Sequence, residues 1–237
     1  MKTQQAPFDP AVAGTLEEDW CNLLASQKAW EPCAGALIVV SPHPDDEVLA
    51  AGGLIRQWAL SGQPVTILSV TDGENAYPRD GLDVTRRREL TESLRVLVQV
   101  HVSVRRIGLP DGAVAEHENR LRNALHDVLE PHTTVVAPYE LDGHGDHEAT
   151  GRVCSEVAHA SNVALVRYPV WAWHRYPASA LASLSWGRYL LTADTQRAKA
   201  RAIQCFTSQI RPLSGEPILP PNVLRYFSRP YEAFIVQ

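Results

Sequence analysis

No stretch of this 237-residue chain approaches the run of about 18 apolar residues that a membrane-spanning helix needs. The opening residues, "MKTQQAPFDPAVAGTLEEDW", lack the apolar core of a secretory signal, so a cytoplasmic location is expected. Cysteine is scarce and scattered. Cys21, Cys33, Cys154 and Cys205 form no Cys-x-x-Cys pair, which argues against a zinc ribbon and against a disulfide framework. Positive charge is not in excess: the formal net charge is -5, there is no basic stripe, and no nucleic-acid partner is expected. Repeats, low-complexity tracts and an interdomain linker are absent. So is a glycine-rich phosphate loop after the first apolar strand, which counts against a nucleotide-binding module.

What remains is an ordinary globular composition, 45% hydrophobic and 21% charged, on a chain long enough for one large core. Residues 1–14 read as a loose leader. Residues 15–30 read as a helix, with Thr15 as N-cap and Leu16, Trp20, Leu23 and Leu24 on one face. The continuous apolar run 36–40 predicts a strand covered on both sides. Helices are expected near 46–60, 85–98, 118–130, 148–160 and 195–206. Strands are expected at 65–70, 102–107, 134–137, 163–168 and 186–191, with a last one at "EAFIV". Alternation at this spacing predicts a single α/β domain, Rossmann-like, with a mostly parallel central sheet flanked by helices. Residues 161–237 are less regular and complete that domain.

Sites in such sheets form beyond the carboxyl ends of the strands. Four polar clusters fall there: "HPDDE", "TDGEN", "GLPDG" and "YELDGHGDHE". His43, Asp46 and His147 offer two imidazole nitrogens and one carboxylate oxygen. Three protein ligands with a fourth position open to water is the pattern of a catalytic zinc site. Asp45, beside a ligand yet free to point elsewhere, suits a general base. His144, if protonated, would stabilise an oxyanion, and Asp146 is placed to hydrogen-bond a histidine and fix its tautomer. Each fragment also has a plainer reading. "HPDDE" resembles a capped helix start, and "DGHGDHE" a polar turn.

The succession "PHPDDE", Gly52-Gly53, "TDGE", Arg86-x-x-Glu89, "GLPDG" and "DGHGDH" resembles the LmbE / PIG-L-type metal-dependent N-deacetylases. The matching segments run from about residue 36 to 160. The resemblance implies a Rossmann-like fold and removal of acetyl groups from N-acetylglucosamine-type sugars. It also implies Zn2+, with Fe2+ or another divalent ion as alternatives, held by His43, Asp46 and His147. Asp45 would be the base, His144 the oxyanion assistant and Asp146 its orienting partner, while Arg86 and Asp111 would reach the substrate. Two departures stand out. The helix after Arg86 closes as Leu97-Val98-Gln99 rather than Leu-Gly, and Asp142 stands where some relatives carry tyrosine.

Among the surrounding residues, Arg86, Arg87 and Arg88 are expected in the first turn of a helix, where positive charge opposes the dipole. That placement favours Arg86 facing the crevice. Glu74 reads as a substrate ligand or a loop-structuring group, and Asp111 as a sugar-hydroxyl acceptor or a plain turn residue. Gly52-Gly53 inside a helix suggests close helix–sheet packing. The patch Trp171, Trp173, His174, Tyr176 reads as packing or as a wall for a sugar. The expected partner is a small amino-sugar substrate, and a homo-oligomer is left open. The competing readings are a metal-dependent hydrolase of another bond and a non-catalytic binding module.

Overall fold

The computed structural model describes residues 13–211 and 216–236. In chain order, α1 (Glu17–Ala25), β1 (Lys28–Ala29), β2 (Leu37–Ser41), α2 (Asp46–Leu60), β3 (Val65–Thr71), α3 (Leu82–Leu97) and β4 (Ser103–Leu109) come first. They are followed by α4 (Glu118–His126), β5 (Thr134–Pro138), α5 (Gly145–Ser161), β6 (Ala164–Tyr168), α6 (Ala172–Arg175) and β7 (Trp186–Leu190). The chain closes with α7 (Ala193–Ile203), α8 (Thr207–Ile210), α9 (Pro221–Leu224) and β8 (Tyr231–Ile235). No helix among the described residues is long and apolar enough to cross a membrane. All but two residues of the expected leader, 1–14, lie outside the described residues.

The strands form one eight-stranded sheet in the order β1-β7-β8-β6-β5-β2-β3-β4. All pairings are parallel except those of β8, which is antiparallel to β6 and β7. The apolar run behaves as its composition predicts. All five residues of β2 are buried, and successive side chains point to opposite faces of the sheet. Leu37 and Val39 join Leu54, Ile55, Leu90 and Leu94 from α2 and α3. Ile38 and Val40 join Leu121, Leu125, Val153 and Val157 from α4 and α5 on the other side. The last third supplies β7 and β8 to the same sheet.

Three expectations fail. The helix expected over 15–30 stops at Ala25, and Lys28 and Ala29 pair with Gly187 and Arg188. The helical pattern there is overridden by a strand partner from far along the chain, with Trp30 packed on Phe234 at 5.4 Å between ring centroids. Thr15 is not the N-cap; its hydroxyl donates to Tyr176 O. Helix α3 opens at Leu82, so Arg86 lies beyond its first turn and the dipole gives no reason for its orientation.

Gly52-Gly53 does sit inside a helix, and the close approach falls on Gly53. A Cβ there would meet Leu191 Cδ2 at 2.3 Å and Glu232 Oε1 at 3.1 Å. At Gly52 the nearest atoms are side-chain carbons at 3.3 and 3.4 Å. Gly53→Ala is therefore expected to destabilise the fold by about 1–3 kcal/mol in urea unfolding, the usual range for overpacking. Gly52→Ala should be near neutral, because the helix-propensity gain of about 1 kcal/mol offsets mild crowding. Equal effects at both positions would refute this account.

Candidate active site

The strand order reverses between β2 and β5, and there the polar clusters meet. β2 ends at Ser41, whose hydroxyl lies 2.6 Å from His43 O and 2.5 Å from Glu47 Oε2. The chain then turns sharply. Asp45 has φ 151°, a backbone region that costs a non-glycine residue about 1–3 kcal/mol and clusters at functional sites. Arg86 supports the turn: its guanidinium donates to Asp45 Oδ2 at 3.0 Å, Pro44 O at 3.1 Å and Gly73 O at 3.2 Å. Gly73 in "TDGE" is needed twice over, since its φ is +65° and a Cβ would lie 1.9 Å from Arg86.

Two helices start at this point. Asp46 opens α2, so "HPDDE" is a helix start, although no side chain caps it. Helix α5 begins at Gly145, earlier than expected, which places His147 in its first turn. His43 Nδ1, His147 Nε2 and Asp46 Oδ2 form a triangle with edges of 3.2, 3.2 and 3.3 Å. Ligands about 2.0–2.1 Å from a tetrahedral zinc ion lie about 3.3–3.4 Å apart, so the donor set has the size and chemistry to hold such an ion. His43 also shares donor-atom clusters with His144 and His147, and with Asp111 and Asp146. The triangle of His43, Asp46 and His147 joins two imidazoles with a carboxylate. All three residues are buried.

His43 and Asp46 line a cavity of about 250 Å³ with Asp45, Arg86, Asp111, His144, Trp171 and Gln209 among its walls, and His147 lies buried behind them. Residues 38–158, about half the chain, match the protein family described as "PIG-L: GlcNAc-PI de-N-acetylase". The chain belongs to the PIG-L family.

Curated relatives point the same way. A 1D-myo-inositol 2-acetamido-2-deoxy-alpha-D-glucopyranoside deacetylase of Nocardia farcinica is 31% identical over 157 residues, covering 54% of this chain and 53% of the relative. A probable N-acetyl-alpha-D-glucosaminyl L-malate deacetylase 2 of Bacillus cereus is 29% identical over 128 residues, covering 49% and 57%. The chain thus spans about half the length of the curated relatives it matches. The fold is shared with the N,N'-diacetylchitobiose deacetylase of Pyrococcus horikoshii, with a TM-score of 0.65 and 22% identity over 94% of this chain and 93% of that one. The conserved protein TT1542 of Thermus thermophilus gives 0.63 and 24% over 84% and 93%.

In this PIG-L chain the carboxylates around the triangle are divided differently from the expectation. Asp146 meets His144 only through its backbone N–H, and its carboxylate goes elsewhere. Its Oδ2 lies 3.2 Å from His43 Nε2 and accepts from Gly112 N at 2.7 Å, while Oδ1 accepts from Val114 N at 3.1 Å. The reason is helical phase: at the second residue of α5 the side chain faces the loop after β4. Asp111 is the second carboxylate on His43 Nε2, at 3.1 Å. Asp146 would be raised by burial, but His43 and the two backbone donors hold it well below the usual carboxylate range. Asp46 is likewise held far down by His147 and His43 against its burial. Burial alone would lower His147; Asp46 and Asp142 outweigh it and push it up to about 9. These imidazoles therefore collect protons where a divalent cation would satisfy the same carboxylates.

The surroundings of His144 disfavour the protonated form expected from the sequence. Burial lowers the imidazole first, then the positive charge of His147 and His43, to about 3. Its Nδ1 accepts from Asp146 N at 3.3 Å, so the ring is the Nε2–H tautomer. Asp45 is raised to about 7 by burial, against the lowering pull of Arg86. Glu74 is a loop-structuring group: its Oε1 accepts from Asp111 N at 2.9 Å and it is not part of the cavity wall. The aromatic patch is split. Trp171 lines the cavity, whereas Trp173 is core, 4.8 Å from Trp20 and 5.2 Å from Trp186 between ring centroids.

Asp142 carried no role in the sequence beyond being a departure. It is fully buried, 2.9 Å from His147 Nδ1, and accepts from the backbone of Val170, Trp171 and Ala172 at 2.9–3.0 Å. It ties His147 to the segment that carries Trp171. Its position five residues before His147 was the only available signal.

Proposed function

We propose that this protein is a zinc-dependent hydrolase that removes the N-acetyl group from an N-acetylglucosamine-type amino sugar or glycoconjugate. The observation that carries the reading is the donor triangle of His43, Asp46 and His147, two corners of which share a cavity wall with the buried carboxylate of Asp45. The family description and the names of the curated relatives support the substrate class.

His43, Asp46 and His147 would hold the ion, and Asp146, Asp111 and Asp142 would orient the two imidazoles. When bound, the cation supplies Lewis acidity that polarises an acetamide carbonyl and acidifies water. Asp45 takes a proton from the attacking water, whose oxygen bonds to the carbonyl carbon. Arg86 is a positioning residue that holds this carboxylate toward the cavity. The Nε2–H of His144 donates to the oxyanion as the carbon becomes tetrahedral. Asp45 then passes its proton to the departing nitrogen, the C–N bond breaks, and acetate and a free amine leave.

The direct test is acetate release from a panel of N-acetylated amino sugars by zinc-loaded protein. Acetate with stoichiometric free amine is expected from at least one glucosamine derivative. Release from none, with phosphoesters hydrolysed instead, would replace the amide reading by the other hydrolase.

A further inference from the structure

One polar side chain in the cavity wall has no part in the chemistry above. Gln209, in α8, is completely buried and lines the same cavity as His43, Asp45 and His144. Its surroundings fix which end of the amide faces where. Glu89 Oε1 accepts from Ser208 N and Thr207 Oγ1, each at 2.7 Å, and Oε2 lies 2.6 Å from Ser208 Oγ. The Ser208 hydroxyl has a single proton, and it donates this to Glu89 Oε2. Ser208 Oγ must then accept, and it does so from Gln209 Nε2 at 2.8 Å. The amide nitrogen is thereby assigned to Ser208 and the Oε1 to the other side. Among the described residues that Oε1 has no hydrogen-bond partner.

A buried carbonyl left unpaired costs about 1–3 kcal/mol, and native proteins hold few of them without a reason. Because Gln209 stands in the cavity wall, a ligand seated there is the partner this acceptor lacks. The ligand must bring a donor. A bare carboxylate offers only acceptors and cannot supply it. In an N-acetylated sugar the acetamide is engaged by Asp45 and His144, which leaves the ring hydroxyls.

We propose that Gln209 is a specificity-determining residue whose Oε1 accepts a hydrogen bond from a ring hydroxyl of the amino sugar. Ser208 and Glu89 are the positioning residues that hold its amide in the accepting orientation. The proposal rests on the deacetylase reading for the identity of the ligand. It goes beyond it by naming the group that distinguishes a hydroxylated ring from other acetamides.

The test uses N-acetylglucosamine and its 3-, 4- and 6-deoxy analogues with zinc-loaded wild type and Gln209→Met, which keeps the volume and removes the acceptor. Wild type should lose about 10- to 100-fold in kcat/KM with one deoxy sugar, the cost of an unpaired buried acceptor. Gln209→Met should lose a similar factor with the parent sugar, chiefly in KM, and should no longer discriminate at that hydroxyl. Wild-type values within twofold for all four sugars would overturn the proposal, and this arm needs no variant to fold. Discrimination retained by Gln209→Met would overturn it too. Calorimetric binding of the same sugars separates the two readings. Hydroxyl-dependent binding without acetate release removes the deacetylase and keeps Gln209. Acetate release without hydroxyl dependence does the reverse. Neither binding nor release with any of the four sugars rejects Gln209 as an amino-sugar contact.

Discussion

Asp45→Asn is expected to lower acetate release by about 10²- to 10⁴-fold, the range a positioned general base contributes, while leaving the bound zinc in place. Asparagine is the replacement to use. It keeps the shape of the side chain, and asparagine tolerates positive φ better than most residues, which matters at φ 151°. Asp45 is not a corner of the donor triangle; its carboxylate is held by Arg86 at 3.0 Å. Arg86 keeps two backbone acceptors, Pro44 O and Gly73 O, in the variant, so the turn retains most of its support. The sign of the pH dependence follows from the same environment. Burial raises Asp45 to about 7 in the metal-free protein, and the base works only when ionised. Activity should therefore fall as pH drops, with the limb at or below about 7, because a bound dication favours the carboxylate. A variant within tenfold of wild type, or one that loses its zinc, would remove Asp45 from this role.

The second large effect concerns the ion. Chelation followed by dialysis should reduce acetate release to background, and stoichiometric Zn2+ should restore it. His147→Ala should abolish both zinc binding and turnover, since it removes one corner of a triangle whose edges are 3.2–3.3 Å. Asp142→Asn should behave differently. The triangle is intact, but the carboxylate 2.9 Å from His147 Nδ1 loses its charge. Loss of such an outer partner weakens metal affinity by about 10- to 100-fold, measurable by competition with a chromogenic chelator. Better restoration by Fe2+ than by Zn2+ would change the ion and keep the ligands. Undiminished turnover in protein shown metal-free by elemental analysis would defeat the reading.

The division between Arg86 and Glu89 illustrates how far a linear motif reaches. Arg86-x-x-Glu89 is visible in the sequence, and Arg86 was expected at the crevice because of its place in a helix. The helix begins earlier, so that reason was wrong although Arg86 does line the cavity. What holds it there is the fit of Asp45, Pro44 and Gly73 around its guanidinium. Glu89 binds α8, more than a hundred residues away, and no spacing rule connects the two.

The sequence alone determined the layered α/β architecture, the position of the crevice and three chemically suitable donors. Each follows from local pattern: a doubly buried strand must be apolar throughout, and polar residues collect where such a strand ends. Only the tertiary structure decided which carboxylate lies on which imidazole, that Asp142 stands behind His147, and that Gln209 lines the cavity. Those outcomes depend on strand register and on the phase of helices packed against the sheet, and on how deeply each group is buried. Partners separated by a hundred residues meet only after folding, so their pairing leaves no mark in local sequence.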